Sequence, residues 1–425
     1  MQVSHPKLFS SNMMLPLDFK KLMASRFLFT FAVQIQAIVL GWQMYVLTKD
    51  PLYLGLIGLV EAIPALSLAL VAGYIVDRSR PLVIFQRVVS VSLVSGITLL
   101  LSQLPSIGAG HRYRILGLFL SSFLTGTARA FAQPSMFALV PRIIQRESLP
   151  RASAWMASSL QVARISGPAL GGFCFGWLGV SPSAGVICLI LLMAWGTLYL
   201  VRTSPEALPP KSSSISRKAE FLSGARFVMH HPILLPTLSL DMISVLFAGV
   251  TALLPIYAGE ILLIGPKGLG ALRAAPAIGA AVTSLWLTTL DIRQRAGTWL
   301  LTSVTGFGMC ILIFALSRQF LLSLAALALS GAFDSVSMVI RMSAVQLSSP
   351  ETMRGKISAV NSIFIGSSNE LGEFESGVAA RLLGAVPAAF LGGVVCLVTV
   401  LVVALFSPQL RTLDLNELKA TTNPL

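Results

Sequence analysis

G-T-A-R-A-F (126–131), R-A-S-A-W-M (151–156) and R-I-S-G-P-A-L-G-G (164–172) return later in the chain as G-A-F-D-S-V (331–336), K-I-S-A-V-N (356–361) and N-E-L-G-E-F-E-S-G (369–377). The two copies align without a gap at an offset of 205 residues. Gly126 falls on Gly331, Arg129 on Asp334, Arg151 on Lys356, Gly167 on Gly372 and Gly172 on Gly377. An earlier pair agrees: Glu61-Ala-Ile-Pro64-Ala returns as Arg273-Ala-Ala-Pro276-Ala. Both copies are apolar enough to sit in lipid. A membrane protein built from two similar halves works by rocking one half against the other around a central site.

Working outward, 55% of the 425 residues are hydrophobic and only 11% charged, against roughly 25% charged in soluble domains. Apolar runs fall at 22–47, 52–76, 82–104, 115–139, 152–178, 184–201, 234–258, 268–290, 298–316, 320–347, 357–380 and 385–406. They are too long for strands, and only helices or closed barrels satisfy their backbone groups in lipid. The expectation is an all-α membrane protein with twelve transmembrane helices in two pseudo-symmetric six-helix halves. The halves are 1–202 and 234–408. A cytoplasmic linker with an amphipathic helix spans 203–233, and 409–425 is a cytoplasmic tail. The linker helix A-E-F-L-S-G-A-R-F-V-M-H-H (219–231) is expected on the membrane surface, with His230 and His231 as surface residues.

The net charge of +14 does not point to nucleic acid, because the basic residues sort by membrane side. With the N-terminus in the cytoplasm, only Lys49, Arg112, Arg114, Lys267, Arg318 and Arg381 fall in outer loops. Arg129, Arg164, Arg273 and Arg341 lie within spans, and every other basic residue is cytoplasmic. Both termini are therefore expected inside. Cys174, Cys188, Cys310 and Cys396 lie in apolar runs without metal-ligand spacing, so they read as packing residues. No cleavable leader is expected, since the first long apolar run begins after Lys20-Lys21.

G-Y-I-V-D-R-S-R-P (73–81) follows the second run, and G-P-A-L-G-G (167–172) lies in the fifth. Gly73 permits close helix approach. Asp77 suits the positive end of a neighbouring helix, and Arg78 suits a surface carboxylate. In these positions the two motifs resemble the loop motif and the antiporter motif of the major facilitator superfamily. Arg80-Pro81 stands where the loop motif carries a glycine, and the counterpart Asp291-Ile-Arg293-Gln-Arg295 is degenerate. Together with G-W-Q-M-Y-V-L-T-K-D-P-L-Y-L-G-L-I-G-L-V-E-A-I-P (41–64), 367–377 and 384–393, they resemble the enterobactin-exporter-like branch over nearly the whole chain. The resemblance implies a monomeric, proton-driven exporter of a siderophore in the bacterial inner membrane. Relatives in neighbouring branches imply one alternative, a multidrug or macrolide efflux antiporter; a second alternative reverses direction, as an importer of a ferric siderophore or other small molecule. An enzyme is disfavoured, because no nucleotide loop and no nucleophile–base arrangement stands out. No cofactor and no metal are expected.

Ionisable groups inside spans cost roughly 2.5–3.5 kcal/mol each on insertion scales, so they pair or face a wet cavity. Glu61, Asp241, Asp334 and Glu373 are the candidate proton carriers. The resemblance implies that spans one, four, seven and ten line the cavity. Gln34, Arg129, Arg164 and Arg341 are the candidate cavity donors, suited to an anionic ligand. Arg129 and Asp334, equivalent in the repeat, are expected to interact in one access state only. Gly73, Asp77, Arg78, Gly167, Pro168, Gly171 and Gly172 are the conformational motifs. Trp42 and Tyr45 are expected as interfacial anchors. Reporter fusions after Leu47, Leu104 and Val180 should report the outer side, and fusions after Arg87, Arg146 and Arg217 the inner side; a reversed pattern overturns the topology.

Overall fold

The computed structural model describes residues 15–104, 110–201, 217–289, 292–350 and 353–416, and within them the chain is almost wholly helical. The long helices are α1 (Leu17–Thr48), α2 (Pro51–Asp77), α3 (Pro81–Gln103), α4 (His111–Ile143), α5 (Leu149–Leu178) and α6 (Val180–Tyr199). Next come α7 (Arg217–His230) and α8 (Leu234–Ala248). The path of α8 continues through a 3-10 turn, α9 (Leu254–Ile256) and a π turn at Tyr257–Ile261. Then follow α10 (Gly265–Leu287), α11 (Ala296–Leu316), α12 (Phe320–Ser348), α13 (Arg354–Leu383), α14 (Ala385–Phe406) and the short α15 (Pro408–Arg411).

Ten helices among the described residues are long and apolar enough to cross a membrane, with α8 and its continuation counted as one. The twelve runs expected from the sequence differ from these ten at α5 and α13. Both are 30 residues long but too polar to qualify by composition. Both lie where the two sets of helices meet: α5 packs on α1 and α10, and α13 packs on α2 and α8.

The helices associate in two groups. In the first, α4 packs on α2 and α3, α6 on α1 and α3, and α5 on α1. In the second, α12 packs on α10 and α11, α14 on α8 and α11, and α13 on α8. The groups meet mainly through α5 with α10 and α2 with α13. Apolar burial cannot drive helices together in lipid, where the tails are as apolar as leucine. Association rests on close packing and interhelical hydrogen bonds instead.

Glycine supplies the close approach, and it does so at repeat-related positions. A Cβ on Gly126 would lie 2.0 Å from the Glu61 carbonyl oxygen and 2.9 Å from Pro64, and one on Gly331 would lie 2.0 Å from the Pro276 carbonyl oxygen. Buried hydroxyl and amide groups add the hydrogen bonds. Gln36 of α1 donates to Ser95 of α3 at 2.7 Å and to Ser121 of α4 at 2.9 Å.

α7 is the expected linker helix, packed on α8 and α13. His231 is more than a surface residue. It is half-buried, and its Nδ1 accepts from the Ile233 and Leu234 amides at 3.2 Å, which caps the start of α8. Burial pushes its imidazole below the ordinary 6.5. The capping form is therefore the neutral one, and its contribution is present above that range and drains away as pH falls through it.

Gly126→Val and Gly331→Val should each lower the thermal unfolding temperature of the purified protein, by the roughly 1–3 kcal/mol typical of overpacking or more. Unchanged unfolding curves for both would show that the repeat-related contacts are not tight.

Candidate functional site

Alternating helix direction puts the ends near Leu17, Asp77, Ile143, Leu149, Leu287 and Arg354 on one side of the bundle, the near side. The ends near Thr48, Pro51, Leu178, Ile261, Gly265 and Leu383 lie on the other, the far side. Arg129 of α4 lies 14 residues from the near end of its helix, about 21 Å along the axis at 1.5 Å per residue. Its Nη1 pairs with Glu61 Oε1 of α2, and its Nη2 with Glu370 Oε1 of α13 at 2.9 Å. One guanidinium thus holds a carboxylate from each group of helices. Its planar fork makes this possible, with two donor edges that a lysine lacks.

Glu373 lies one turn beyond Glu370 and packs over Gly58 of α2, where a Cβ would come within 2.7 Å of its Oε2. Glu373, Glu61 and Arg273 of α10 line one cavity of ≈ 40 Å³, bounded by Gly41 and Leu54 and by Pro255. That volume suits one or a few waters, with ionisable groups to hydrogen-bond them.

A second ion pair lies within the other group. Asp241 of α8 pairs with Arg341 of α12, and both are buried. Asp334, two turns before Arg341, lines a small cleft with Asp241, Ser244, Ser303 and Ser337. The repeat-related residues Arg129 and Asp334 therefore sit in two separate clusters in this structure. Arg341 faces its acid rather than an open cavity. Gln34 is half-buried against α5, where a Cβ on Gly167 would lie 2.6 Å from the Gln34 Cβ. Arg164 of α5 is exposed, on the turn of that helix nearest Gly167.

The 167–172 motif seats α5 between two helices. Gly167 and Gly171 face α1, at Phe31, Gln34 and Ile35. A Cβ on Gly172 would lie 2.9 Å from the Gly270 Cα of α10, and one on Gly270 would lie 2.5 Å from the Pro168 carbonyl oxygen. The partner contact is Gly377 of α13 on Gly55 of α2, where an added Cβ would be 2.7 Å from the Gly55 Cα. Both contacts lie toward the far side, where polar contacts reinforce them. Arg381 pairs with Asp50 at 2.9 Å, Lys267 sits 4.8 Å from the Trp177 ring centroid, and the Tyr45 hydroxyl donates to Glu260 at 3.0 Å. The π turn at 257–261 places Glu260 there, and Gly259 within it leaves room for the Tyr45 ring. Tyr45 is thus buried at a contact between the groups, and Trp42 is buried beside it with ring centroids 5.4 Å apart, where each was expected as an interfacial anchor. Arg78 differs from expectation as well, lying over the Tyr74 ring at 4.1 Å and bonding its hydroxyl. Asp77 closes α2, and Gly73 is half-buried one turn earlier.

Residues 16–424 match the transmembrane secretion effector family of the major facilitator superfamily. The chain belongs to this family. Its relatives include the enterobactin exporter EntS of Shigella dysenteriae serotype 1 and that of Escherichia coli O1:K1, each 25% identical over 246 residues. That match covers 58% of this chain and 58% of the relatives' length. In fold the chain is similar to a POT family transporter crystallised with 5-aminolevulinic acid, at TM-score 0.74 and 12% identity, covering 93% of this chain and 97% of that one. It is also similar to the nucleoside transporter NupG, at TM-score 0.69 and 12% identity, covering 92% and 99%. These likenesses show the fold alone.

Glu370 and Arg273 are the network residues that the candidate sets miss. The signal for Glu370 was its spacing from Glu373, which places both on one helix face. The signal for Arg273 was its alignment with Glu61. Breaking the buried Asp241–Arg341 pair from one side leaves an unpaired charge, which costs about 3–5 kcal/mol. Asp241→Asn or Arg341→Met alone should sharply reduce folded protein on size-exclusion chromatography. The double variant should recover it, and a double variant as poor as either single would show that the pair is not coupled.

Proposed function

We propose that the protein is a proton-coupled secondary transporter that exports a siderophore across the bacterial inner membrane by alternating access. The moving units are two six-helix halves, 1–202 and 234–408, joined by the 203–233 linker, with both termini and the 409–425 tail cytoplasmic. The observation that carries this reading is the single guanidinium of Arg129 tied to Glu61 in one half and Glu370 in the other. A guanidinium keeps its proton, so only the acids can change the bond between the halves. A carboxylate has a different proton affinity beside an arginine than in a wet cavity without one. Protonation of Glu370 therefore loosens α13 from α4, and domain movement changes the affinity for the proton in return. Glu61 and Glu373 share the cavity through which that proton passes. Asp334 is the second-half candidate, because Asp241 is engaged by Arg341 within its own group.

The far-side contacts support a cytoplasm-facing resting state. With the basic residues placed inside, the far side is the outer side. The Gly172–Gly270 and Gly377–Gly55 contacts and the Arg381–Asp50 pair then close the outer face. The family and the exporter relatives favour outward transport. The arginines within the bundle favour an anionic substrate, as catecholate and carboxylate siderophores are.

A strain lacking the gene should lose secreted siderophore in mass spectrometry of iron-starved culture medium, with macrolide sensitivity unchanged. Normal secretion with new drug sensitivity would favour multidrug efflux, and normal secretion with lost uptake would favour import. In membrane vesicles, Glu61→Gln and Glu370→Gln should abolish export driven by a pH gradient while leaving substrate exchange. If these two, Glu373→Gln and Asp334→Asn all keep gradient-driven export, the acids are structural and the coupling reading fails.

A further inference from the structure

Arg129 has two acids. The arginines beside it have none. Arg26 of α1 donates from Nη2 to the Gln133 Oε1 of α4 at 2.8 Å, while its buried Nη1 has no hydrogen-bond partner. Arg164 of α5 makes no hydrogen bond or ion pair among the described residues. Its electrostatic neighbour is the like charge of Arg129, and Arg26 in turn feels the like charge of Arg164.

Helix register brings these groups together independently. α1 and α5 run parallel, with Gly167 against Phe31 and Gln34 and Gly171 against Ile35 and Ile38. Arg164, one turn before Gly167, therefore falls about one turn beyond Arg26 along the α1 axis. On α4, Gln133 and Arg129 are four residues apart and share a face. The three guanidiniums thus come from α1, α4 and α5 to one region of the first helix group. Carboxylates reach that region from α2 and α13, and they bond Arg129 only.

Arg26 is half-buried and Arg164 exposed, so these like charges are tolerated beside water and gain when something negative arrives. A carboxylate or catecholate supplies what is missing, with two oxygens for the free edges of two planar guanidiniums. Arg341 is excluded from this role by its buried bond to Asp241.

We propose that Arg26 and Arg164, with Gln133 orienting Arg26, form an anion-binding subsite between the near side and the Arg129 network that takes the carboxylate or catecholate end of a small organic anion. That this anion is the exported cargo rests on the reading above; its binding does not. Arg26 and Arg164 are binding residues, and Gln133 is a positioning residue that acts through Arg26.

The test uses the full chain in nanodiscs and two probes of the same shape, 2,3-dihydroxybenzoate and its uncharged amide, in titration calorimetry. The wild type should prefer the acid by about tenfold or more, the scale of one charge-assisted hydrogen bond, and the preference should shrink as salt rises. Arg26→Gln and Arg164→Gln should each remove the preference. Arg164→Lys should keep part of it. Gln133→Leu should weaken acid binding, whereas Gln133→Glu should abolish it. Without probe, the unfolding temperature of Arg164→Gln should stay level or rise, since a like-charge contact is relieved. Equal binding of acid and amide by the wild type overturns the proposal. So does an Arg164→Gln protein that unfolds earlier yet keeps the acid preference, because the arginine is then structural. Native mass spectrometry showing that the variants lose retained phosphatidylglycerol, with the acid preference intact, also overturns it in favour of a lipid headgroup. A subsite that passes these measurements in a protein without proton-driven export leaves the subsite standing and removes the coupling reading. Proton-driven export with no acid preference does the reverse.

Discussion

Charge inside a membrane is tolerated only with a partner or with water, and this constraint organises the structure. The bundle satisfies it in three ways. Asp241 and Arg341 are enclosed as a pair within one group of helices. Arg129 is shared between Glu61 and Glu370 from two groups. Glu373 and Arg273 face a narrow cavity. The first arrangement belongs to stability, because it lies within one group and need not change as the groups move. The second crosses the boundary, so any relative movement must break or remake it. That difference separates the structural ion pair from the candidate machinery more clearly than residue type does.

The two less apolar helices lie at the same boundary. Among the described residues, α5 and α13 are the long helices that fall short of membrane-spanning apolarity, and each meets an apolar helix of the other group, α10 and α2. Their glycines let backbones meet at Gly172–Gly270 and Gly377–Gly55. Contacts of this kind are made without long interlocking side chains. They can part and reform as two rigid surfaces, which suits an interface that opens during transport.

Much of this was legible in the residues. The gapless repeat marked Gly126 and Gly331, and both pack on the proline-bearing turns that the second repeat pair marked, at Pro64 and Pro276. G-P-A-L-G-G marked the part of α5 that seats on α1 and α10. Glu61, Arg129 and Glu373 stood out as charges in apolar runs, and they converge. Other residues were illegible for a shared reason: their roles depend on a partner remote in sequence. Tyr45 read as an interfacial anchor because nothing local predicts Glu260. Arg78 read as a partner for a carboxylate because its aromatic neighbour Tyr74 is an equally good local option. Arg26 read as one more cytoplasmic charge near the start of α1, and only the register of α1 against α4 and α5 takes it to Gln133 and Arg164.

The sequence by itself determined the membrane character, the helical class and the internal repeat. These follow from hydropathy, from the need to satisfy backbone groups in lipid and from glycine spacing, all of which are local or periodic. Only the tertiary structure decided which acid meets which arginine. Arg129 had several carboxylates within its chemical reach on paper, Asp334 among them, and the packing of α4 against α2 and near α13 selected Glu61 and Glu370. Pairing depends on distance in three dimensions, and residues 241 positions apart in the chain, such as Arg129 and Glu370, carry no local trace of it.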